Sequence, residues 1–339
     1  MIKKLTAGAL LFSTAFIASI VVFFGCGQSL QADQQSSGKY KNLIPQAEKI
    51  IDSALSDPNP QIRANAVEVT ALTEQSKFFP KIAALLKDQF VPVRFAAAVA
   101  VGDTGYSPAE ETVKKLLEDP DRNVRIAAGY ALAKFGSSEG FSILGKAITD
   151  KDQTVRANAT VLLGKTGDTE ALKPLQWVLK DAGSDDKVRF QAVEAMARLG
   201  DESVFTKLWA MLISAYADDR AMGVRGMGSL GTRKAKDVLY TVLDDEVAEV
   251  RLIAAEQLGM LGDPAGAPQV LEVLQGKLPP HLDEEGIERI KVLAALAVGE
   301  IATPDLTGFL PKLLADNSPF VRLAAAKAVF NCANSHKKQ

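Results

Sequence analysis

The sequence predicts an all-α protein, a right-handed α-solenoid built from about nine helical hairpins. Apolar residues make up 47% of the chain but aromatic residues only 6%, a composition that favours many small helices over a β-sandwich. A basic residue recurs at intervals of 31, 31, 31, 33, 31, 31, 40 and 31 residues, and its neighbours recur with the same phase. Because one hairpin cannot bury both of its sides, we expect the repeated units to stack on one another.

Residues 1–26 are predicted to be an export signal that carries a lipidation site. Lys3 and Lys4 form a short basic start, and residues 5–24 follow without a charged side chain. The stretch that ends at Cys26 resembles the lipobox of bacterial lipoproteins, which implies that the Cys26 thiol receives a diacylglycerol anchor. Two alternatives stay open: residues 5–24 remain as a membrane span, or the signal is cleaved to leave a soluble periplasmic protein. All three place the protein in the cell envelope, and the first two anchor it to a membrane, facing the periplasm or the cell surface.

Residues 27–40 are expected to form a flexible polar tether, because they are rich in Gln and Ser and have little apolar surface to bury. The residues from 28 to 39 have a mean reach of about 20 Å as a flexible chain. The folded body is therefore expected to stand just off the membrane.

Each repeat is predicted to contain a first helix and then a second helix that begins near the recurring basic residue. A small residue three positions after the basic one permits close packing, and a large apolar residue seven positions after it completes a buried stripe. In six repeats Gly stands eleven positions after it, where a left-handed residue ends a helix. In six repeats Asp stands six positions before it, in the turn that leads into the second helix.

The pattern resembles the HEAT-like repeats of the phycobilisome lyase family. That family opens its first helix with G-D-x-x-A, which residues 167–171 match, and marks its second helix with V-R-x-x-A-x-x-A-L, which residues 124–132 match. The resemblance covers about residues 41–339 and implies that the second helices line the concave face. The predicted repeats span about residues 41–74, 75–105, 106–136, 137–167, 168–200, 201–231, 232–262, 263–302 and 303–339.

Two consequences for shape follow from these repeats. At an interaxial spacing of ~8–10 Å per layer, the stack is expected to be a rod about 70–90 Å long. The eighth repeat carries nine extra residues around 276–284, which are expected to form a protruding loop between its two helices.

The sequence predicts no catalytic residues, no cofactor and no metal site. His281 and His336 are the only imidazoles, and no Cys-His, Ser-His-Asp or His-Glu grouping and no Gly-rich phosphate loop is present. With 39 basic and 41 acidic residues, the chain also lacks the basic field that nucleic acid binding needs. We therefore expect a non-enzyme whose partners are proteins.

The concave face is predicted to bind those partners. Positions two, five and nine after each basic residue point away from the core on a helical wheel. Most are polar, but two stretches align apolar residues across neighbouring repeats, and with one adjoining arginine they form the candidate partner-binding groove: Val99, Tyr130, Val161, Met222, Arg225, Ile253, Met260, Leu293 and Leu296. The alternative is that curvature of the groove, or the loop around Pro279, buries these side chains.

The basic and acidic columns are predicted to pair as a structural ladder along the stack rather than to bind anions. Their matching phase indicates that each Arg reaches a turn Asp of its own or the adjacent repeat. The residues concerned are Arg63, Arg94, Arg125, Arg156, Arg189, Arg220, Arg251 and Arg322, with Asp57, Asp88, Asp119, Asp150, Asp245 and Asp316.

These observations favour a non-catalytic protein–protein interaction scaffold that is tethered to the bacterial cell envelope and binds partners along its concave face. The alternative hypothesis is an accessory subunit that presents a substrate to an envelope enzyme, as the lyase subunits of the resembled family do.

Overall fold

The computed structural model describes residues 40–280 and 282–335, and every regular element within these ranges is helical. The helices come in pairs, which confirms the prediction of an all-α solenoid of helical hairpins. The first helix of the last repeat is split into two short pieces. In chain order the helices are α1 (Ile44–Ala54) and α2 (Pro60–Leu72); α3 (Phe79–Leu85) and α4 (Val91–Thr104); α5 (Glu110–Lys115) and α6 (Arg122–Lys134); α7 (Ser138–Ala147) and α8 (Gln153–Thr166); α9 (Leu172–Lys180) and α10 (Asp186–Arg198); α11 (Phe205–Leu212) and α12 (Ala217–Leu230); α13 (Arg233–Val242) and α14 (Ala248–Met260); α15 (Ala267–Leu274) and α16 (Glu284–Ile301); α17 (Pro304–Thr307), α18 (Leu310–Leu314) and α19 (Pro319–Ser335).

A left-handed residue follows the second helix of most repeats, as the glycine column predicts. The six glycines of that column have φ angles between 62° and 89°. Glu74 and Ala302 stand at the corresponding position of the first and eighth repeats and have φ angles of 53° and 56°. The same backbone turn is therefore kept even where a Cβ makes it unfavourable.

The Asp column shapes the turn that leads into each second helix. Oδ1 of Asp88 accepts the backbone N–H of Phe90 at 2.9 Å, and the other five aspartates of the column make the same contact two residues ahead. The helix cap itself is a different residue in several repeats: the side chains of Asp121 and Asp152 accept the N–H groups at the starts of α6 and α8.

The stack of repeats closes on itself. Each second helix packs against the next along the series α2, α4, α6, α8, α10, α12, α14, α16 and α19, and α19 then packs against both α1 and α2. The hydroxyl of Tyr40 donates to Oγ1 of Thr307 at 3.2 Å across this junction. The expectation of a rod about 70–90 Å long is therefore wrong, because the first repeat is a direct neighbour of the last and the second helices form the wall of a ring.

Close approach of the second helices explains the curvature. A Cβ added at Gly102 of α4 would lie 2.8 Å from the Cα of Ala131 in α6, and one added at Gly164 of α8 would lie 2.8 Å from the Cα of Ala195 in α10. Gly299 of α16 meets α19 in the same way, at 2.6 Å. The first helices of neighbouring repeats make few direct contacts, so backbones are drawn together only on the inner side and each repeat turns inward.

The extra residues of the eighth repeat form the longer connection between its two helices that the sequence predicts, but part of this connection packs against the core instead of protruding. The helix α16 begins at Glu284, about one turn earlier relative to Lys291 than the other second helices begin relative to their Arg. In the connection that precedes it, Leu278 and Leu282 are half-buried and pack against the core. Part of the insertion therefore extends α16, and the two leucine side chains pack the connection against the core. His281 lies outside the described residues.

Several predictions concern residues outside the described ranges. These are the export signal with Cys26 and the tether as far as residue 39. Within 40–280 and 282–335, no helix combines the length and the apolar character that a membrane crossing needs.

Candidate functional site: the ring interior

Among the residues that the structure describes, the second helices line a larger and a smaller cavity. The larger, of about 340 Å³, is lined by α2, α4, α6, α8 and α10, and we call it the large cavity. The smaller, of about 130 Å³, is lined by α2, α12, α16 and α19, and we call it the small cavity. Asn65, Glu68 and Leu72 of α2 line both cavities, so this helix separates them. The volume of the large cavity is typical of ligand sites, which run from about 300 to 1,000 Å³.

The walls of the large cavity are mainly apolar. Phe95 and Val99 of α4 lie on one side, and Val161 and Leu162 of α8 lie on the other. Val99 and Val161 belong to the predicted groove, and both are half-buried. The structure therefore brings these two predicted residues together in one cavity.

Carboxamide side chains supply much of the polar lining of the large cavity. Gln61 and Asn65 come from α2, Asn123 from α6 and Asn158 from α8. Nδ2 of Asn158 donates to Oδ1 of Asn123 at 3.0 Å and links the two helices. The helical wheel places Asn65 and Asn158 on the concave face, but the columns two, five and nine positions after the basic residue do not include Gln61 and Asn123, which stand two positions before it. Residues two positions before and two positions after the basic residue are four apart, about one helical turn, so they lie on the same face of the helix. This spacing is the sequence signal for Gln61 and Asn123.

Tyr130 does not line the interior, although the sequence predicts it in the groove. It is fully buried, and its hydroxyl donates to Oδ1 of Asp103 on α4 at 2.5 Å. Nζ of Lys165 on α8 lies 2.7 Å from the other oxygen of Asp103 and 5.6 Å from the centre of the Tyr130 ring. Burial, together with the Asp103 charge, raises the pKa of Tyr130 far above its ordinary value. The prediction of an exposed Tyr130 is wrong because the ring curves strongly enough for α4 and α8 to meet over α6.

The second apolar stretch of the predicted groove is largely covered. Ile253, Leu293 and Leu296 are 1%, 8% and 5% exposed, so the prediction of an exposed apolar patch is wrong for these three residues. Met222 and Met260 are half-buried. Leu293 and Leu296 line the small cavity, where closure of the ring brings α2 and α19 close to them.

The small cavity also has charged walls. Arg225 of α12, Arg289 of α16 and Lys327 of α19 all line it. Nζ of Lys327 lies 3.3 Å from Oε1 of Glu300, and Nη2 of Arg289 lies 3.8 Å from Oε1 of Glu249. Most of this positive charge is therefore balanced within the protein.

Glu256 of α14 is a buried carboxyl close to these charges. It is 3% exposed, and its Oε1 has no hydrogen-bond partner among the described residues. Burial raises the pKa of Glu256 to about 7; the Glu300 charge adds to this rise, whereas Lys327 and Arg225 oppose it. The carboxyl is therefore close to half protonated at neutral pH. In the described part of the chain, no three His, Cys, Asp or Glu side chains are grouped as metal ligands.

Arg and Asp side chains form ion pairs between consecutive repeats. Arg63 donates through Nε and Nη2 to both oxygens of Asp88, at 2.9 and 2.8 Å. Arg94 binds Asp119 in the same bidentate way, and so does Arg220 with Asp245. Burial raises the pKa of Asp88, but the Arg63 hydrogen bonds, the backbone N–H of Phe90 and the charges of Arg63 and Arg94 together outweigh it and hold that pKa below its ordinary value.

Other members of the two columns make different contacts. Arg156 pairs with Asp181, and Lys291 pairs with Asp316. Asp150 accepts from Arg122 instead of a column residue. The remaining column residues bind main-chain groups near their own turn: Arg125, Arg189, Arg251 and Arg322 donate to the carbonyls of Asp119, Asp181, Asp245 and Asp316, and Asp57 offers its carbonyl to Arg63.

A group of exposed large side chains on repeats five to seven was missed by the sequence reasoning. Trp177, Trp209 and Tyr240 lie on α9, α11 and α13, and they are 43%, 44% and 38% exposed. Ile213 and Tyr216 lie between α11 and α12 and are 71% and 67% exposed. The repeat columns are defined by residues of the second helices, so they do not predict which side chains of the first helices are exposed.

Comparison with known protein families identifies HEAT repeats in this chain. The family model matches residues 79–160, 142–222 and 210–281, which together span more than half of the sequence. The chain therefore belongs to the HEAT-repeat family, and the predicted resemblance to HEAT-like repeats is confirmed. One curated relative is the bilin biosynthesis protein PecF of Nostoc sp. strain PCC 7120. It is 29% identical over 153 residues, which cover 42% of this chain and 86% of PecF.

Two solved structures give further comparisons. The complex of CpcE and CpcF of phycocyanin lyase from Nostoc sp. PCC7120 is 18% identical, with a TM-score of 0.44 over 81% of this chain and 98% of that chain. Human deoxyhypusine hydroxylase in complex with glycerol is 21% identical, with a TM-score of 0.37 over 76% of this chain and 96% of that chain. At these values neither similarity assigns an activity to this chain.

Proposed function

We propose that this protein is a non-catalytic binding scaffold of the bacterial cell envelope that holds a protein partner in the interior of its ring. The large cavity carries the proposal, because five consecutive second helices build it and each contributes side chains to its lining. Its charged groups include Lys165 and Asp103, which neutralise each other at 2.7 Å. Apolar walls with a few open polar groups are suited to binding.

A closed ring suits this role energetically. The ladder of ion pairs and the packing of α19 on α1 and α2 hold the interior in one shape before a partner arrives. A preformed site loses little conformational freedom on binding, so more of the contact energy remains as affinity. Several modest contacts spread over five repeats then suffice for a specific complex.

The envelope part of the proposal rests on the sequence before residue 40. An export signal that ends at Cys26 and a polar tether of residues 27–40 together place the ring near a membrane. A tethered binder meets partners of the same membrane at a raised effective concentration.

Site-specific photo-cross-linking in the native envelope tests where a partner binds. A small aliphatic diazirine amino acid, close to leucine in size, is placed at Val161 in the large cavity and, as a matched control, at the exposed Ala84 of the first helix α3. We expect a covalent adduct of defined mass from position 161 and none from position 84. Adducts of equal yield from both positions, or none from position 161, contradict the proposal.

Metabolic labelling with a clickable fatty acid tests the anchor. We expect the wild-type chain to take up the label and a Cys26→Ala variant to lose it. An unlabelled wild-type chain that stays in the membrane with residues 5–24 still attached would support the uncleaved span. An unlabelled chain that begins after the signal would support the soluble form.

A second candidate function is an accessory subunit that presents a substrate to an envelope enzyme. The 29% identity with the bilin biosynthesis protein PecF favours it. Purification of the adduct formed at position 161 separates the two candidates. One enzyme in a fixed ratio to this chain supports the accessory subunit, whereas several unrelated partners support the general scaffold.

A further inference from the structure

We propose that the partner enters the large cavity as an extended peptide segment, whose backbone is bound by the carboxamides of the inner helices. This inference rests on the proposed function, since it names the form in which a partner occupies the same cavity. Four side chains carry it: Gln61, Asn65, Asn123 and Asn158.

The chemistry of these side chains matches a peptide backbone. A carboxamide offers an N–H donor and a carbonyl acceptor, as each peptide group does. The side chains of Gln61 and Asn65 make no hydrogen bond to any other residue in the described part of the chain, and their polar atoms are not closed off from the interior. The bond between Asn158 and Asn123 uses one donor and one acceptor, so each of these amides keeps further hydrogen-bonding capacity.

The amides follow one another along the row of second helices, as the backbone groups of an extended ligand do. They come from α2, α6 and α8, which belong to one continuous row of second helices with α4 between the first two. Neighbouring helices in such a row are about 8–10 Å apart, and an extended chain advances about 3.3–3.6 Å per residue. Successive helices therefore meet backbone groups about three residues apart along one bound segment.

The remaining lining suits the side chains of such a segment. Phe95, Val99 and Val161 present apolar surface between the amide positions. Lys165 is 7% exposed and is neutralised by Asp103. Glu68 and Lys187 add one charge of each sign, so the formal charges of the lining sum to zero. These features favour a peptide with apolar side chains over a phosphate-rich ligand, which needs an excess of cations.

A peptide library tests the inference on the full chain. Phage that display random linear twelve-residue peptides are selected on the purified protein, and the affinity of one selected peptide is measured by fluorescence polarisation. We expect an Asn65→Ala, Asn158→Ala double variant to weaken binding about tenfold or more, because each lost neutral hydrogen bond costs a few-fold in affinity. Gln176→Ala, at an exposed amide of the first helix α9, should leave the affinity unchanged.

Two further measurements report on the backbone and on the cavity directly. A version of the peptide with one central amide replaced by an ester keeps every side chain but lacks one N–H, and we expect it to bind about five- to tenfold more weakly. Val161→Trp fills the cavity while all four amide side chains remain unsubstituted, and it should abolish binding. Circular dichroism of each variant shows whether it is folded. If one variant does not fold, the binding measurements on the remaining variants still test the inference.

The inference is overturned if selection yields no peptide. It is also overturned if selected peptides bind both cavity variants as tightly as the wild type, or if the ester costs nothing. If cross-linking from position 161 nevertheless captures a partner, that partner binds through a folded surface. The proposed function then stands and the peptide inference alone fails.

Discussion

Replacing Glu256 with Gln should remove a pH dependence of stability that originates in the ring interior. The pKa of this carboxyl is raised from 4.5 to about 7 in the folded protein, mainly by burial. Between these two values the folded state binds a proton that the unfolded chain has released. Stability therefore falls as the pH rises through this window, which is the reverse of the usual behaviour of a salt-bridged carboxylate.

The size of the effect follows from the two pKa values. A shift of one unit corresponds to about 1.4 kcal/mol, so the shift of Glu256 costs about 3 kcal/mol of unfolding free energy once the pH is above 7. Well below pH 4.5, both states hold the proton and the cost disappears. Gln keeps the shape of a protonated Glu, so Glu256→Gln should be more stable than the wild type by about 3 kcal/mol at pH 8 and nearly equal to it at pH 4.5.

Unfolding in urea, followed by circular dichroism at several pH values, measures this difference. Glu272→Gln is the matched control, because Glu272 lies on the exposed side of α15 and its replacement should change the stability little at any pH. A difference between wild type and Glu256→Gln that stays constant from pH 4.5 to pH 8 would refute the reasoning.

Two further pairs of variants test the packing and the ladder by the same unfolding measurement. Gly299→Ala should destabilise the protein by about 1–3 kcal/mol, because the new Cβ would meet the backbone of α19 at 2.6 Å, whereas Gly145→Ala, with open space around it, should be neutral or stabilising by up to about 1 kcal/mol. Arg220→Ala should cost about 3–5 kcal/mol because it strands a largely buried Asp, whereas Arg122→Ala, which removes an exposed pair, should cost less than about 1 kcal/mol. Equal losses within either pair would contradict the corresponding account.

The local structure of each repeat could be predicted because its causes lie close together in the sequence. The left-handed turn after each second helix depends on the residue eleven positions after the basic one. The turn before each second helix depends on an Asp side chain that accepts the backbone N–H two residues ahead. The pairing of Arg63 with Asp88 spans a single repeat and follows from the phase of the two columns. Patterns with a period of 31 residues therefore predict contacts such as these, which depend on one repeat and its neighbour.

Ring closure could not be predicted, because it depends on the sum of small rotations over nine repeats. The contacts that set the rotation are present in the sequence as glycines eight positions after the basic residue, such as Gly102, Gly164 and Gly299. Each of these glycines also needs a small residue that faces it in the next repeat, and the structure is required to show which residue that is. The burial of Tyr130 and Leu296 follows from the same curvature, so these predictions failed together.

A distance between the first and last repeats tests ring closure most directly. Nitroxide labels are attached at Lys49 of α1 and Lys312 of α18, which are exposed on helices that both pack against α19. Electron–electron double resonance should give one main distance below about 35 Å, since closely packed helices are about 8–10 Å apart and the labels add their own length. A main distance of about 70 Å or more, as an open stack of nine layers requires, would contradict a closed ring.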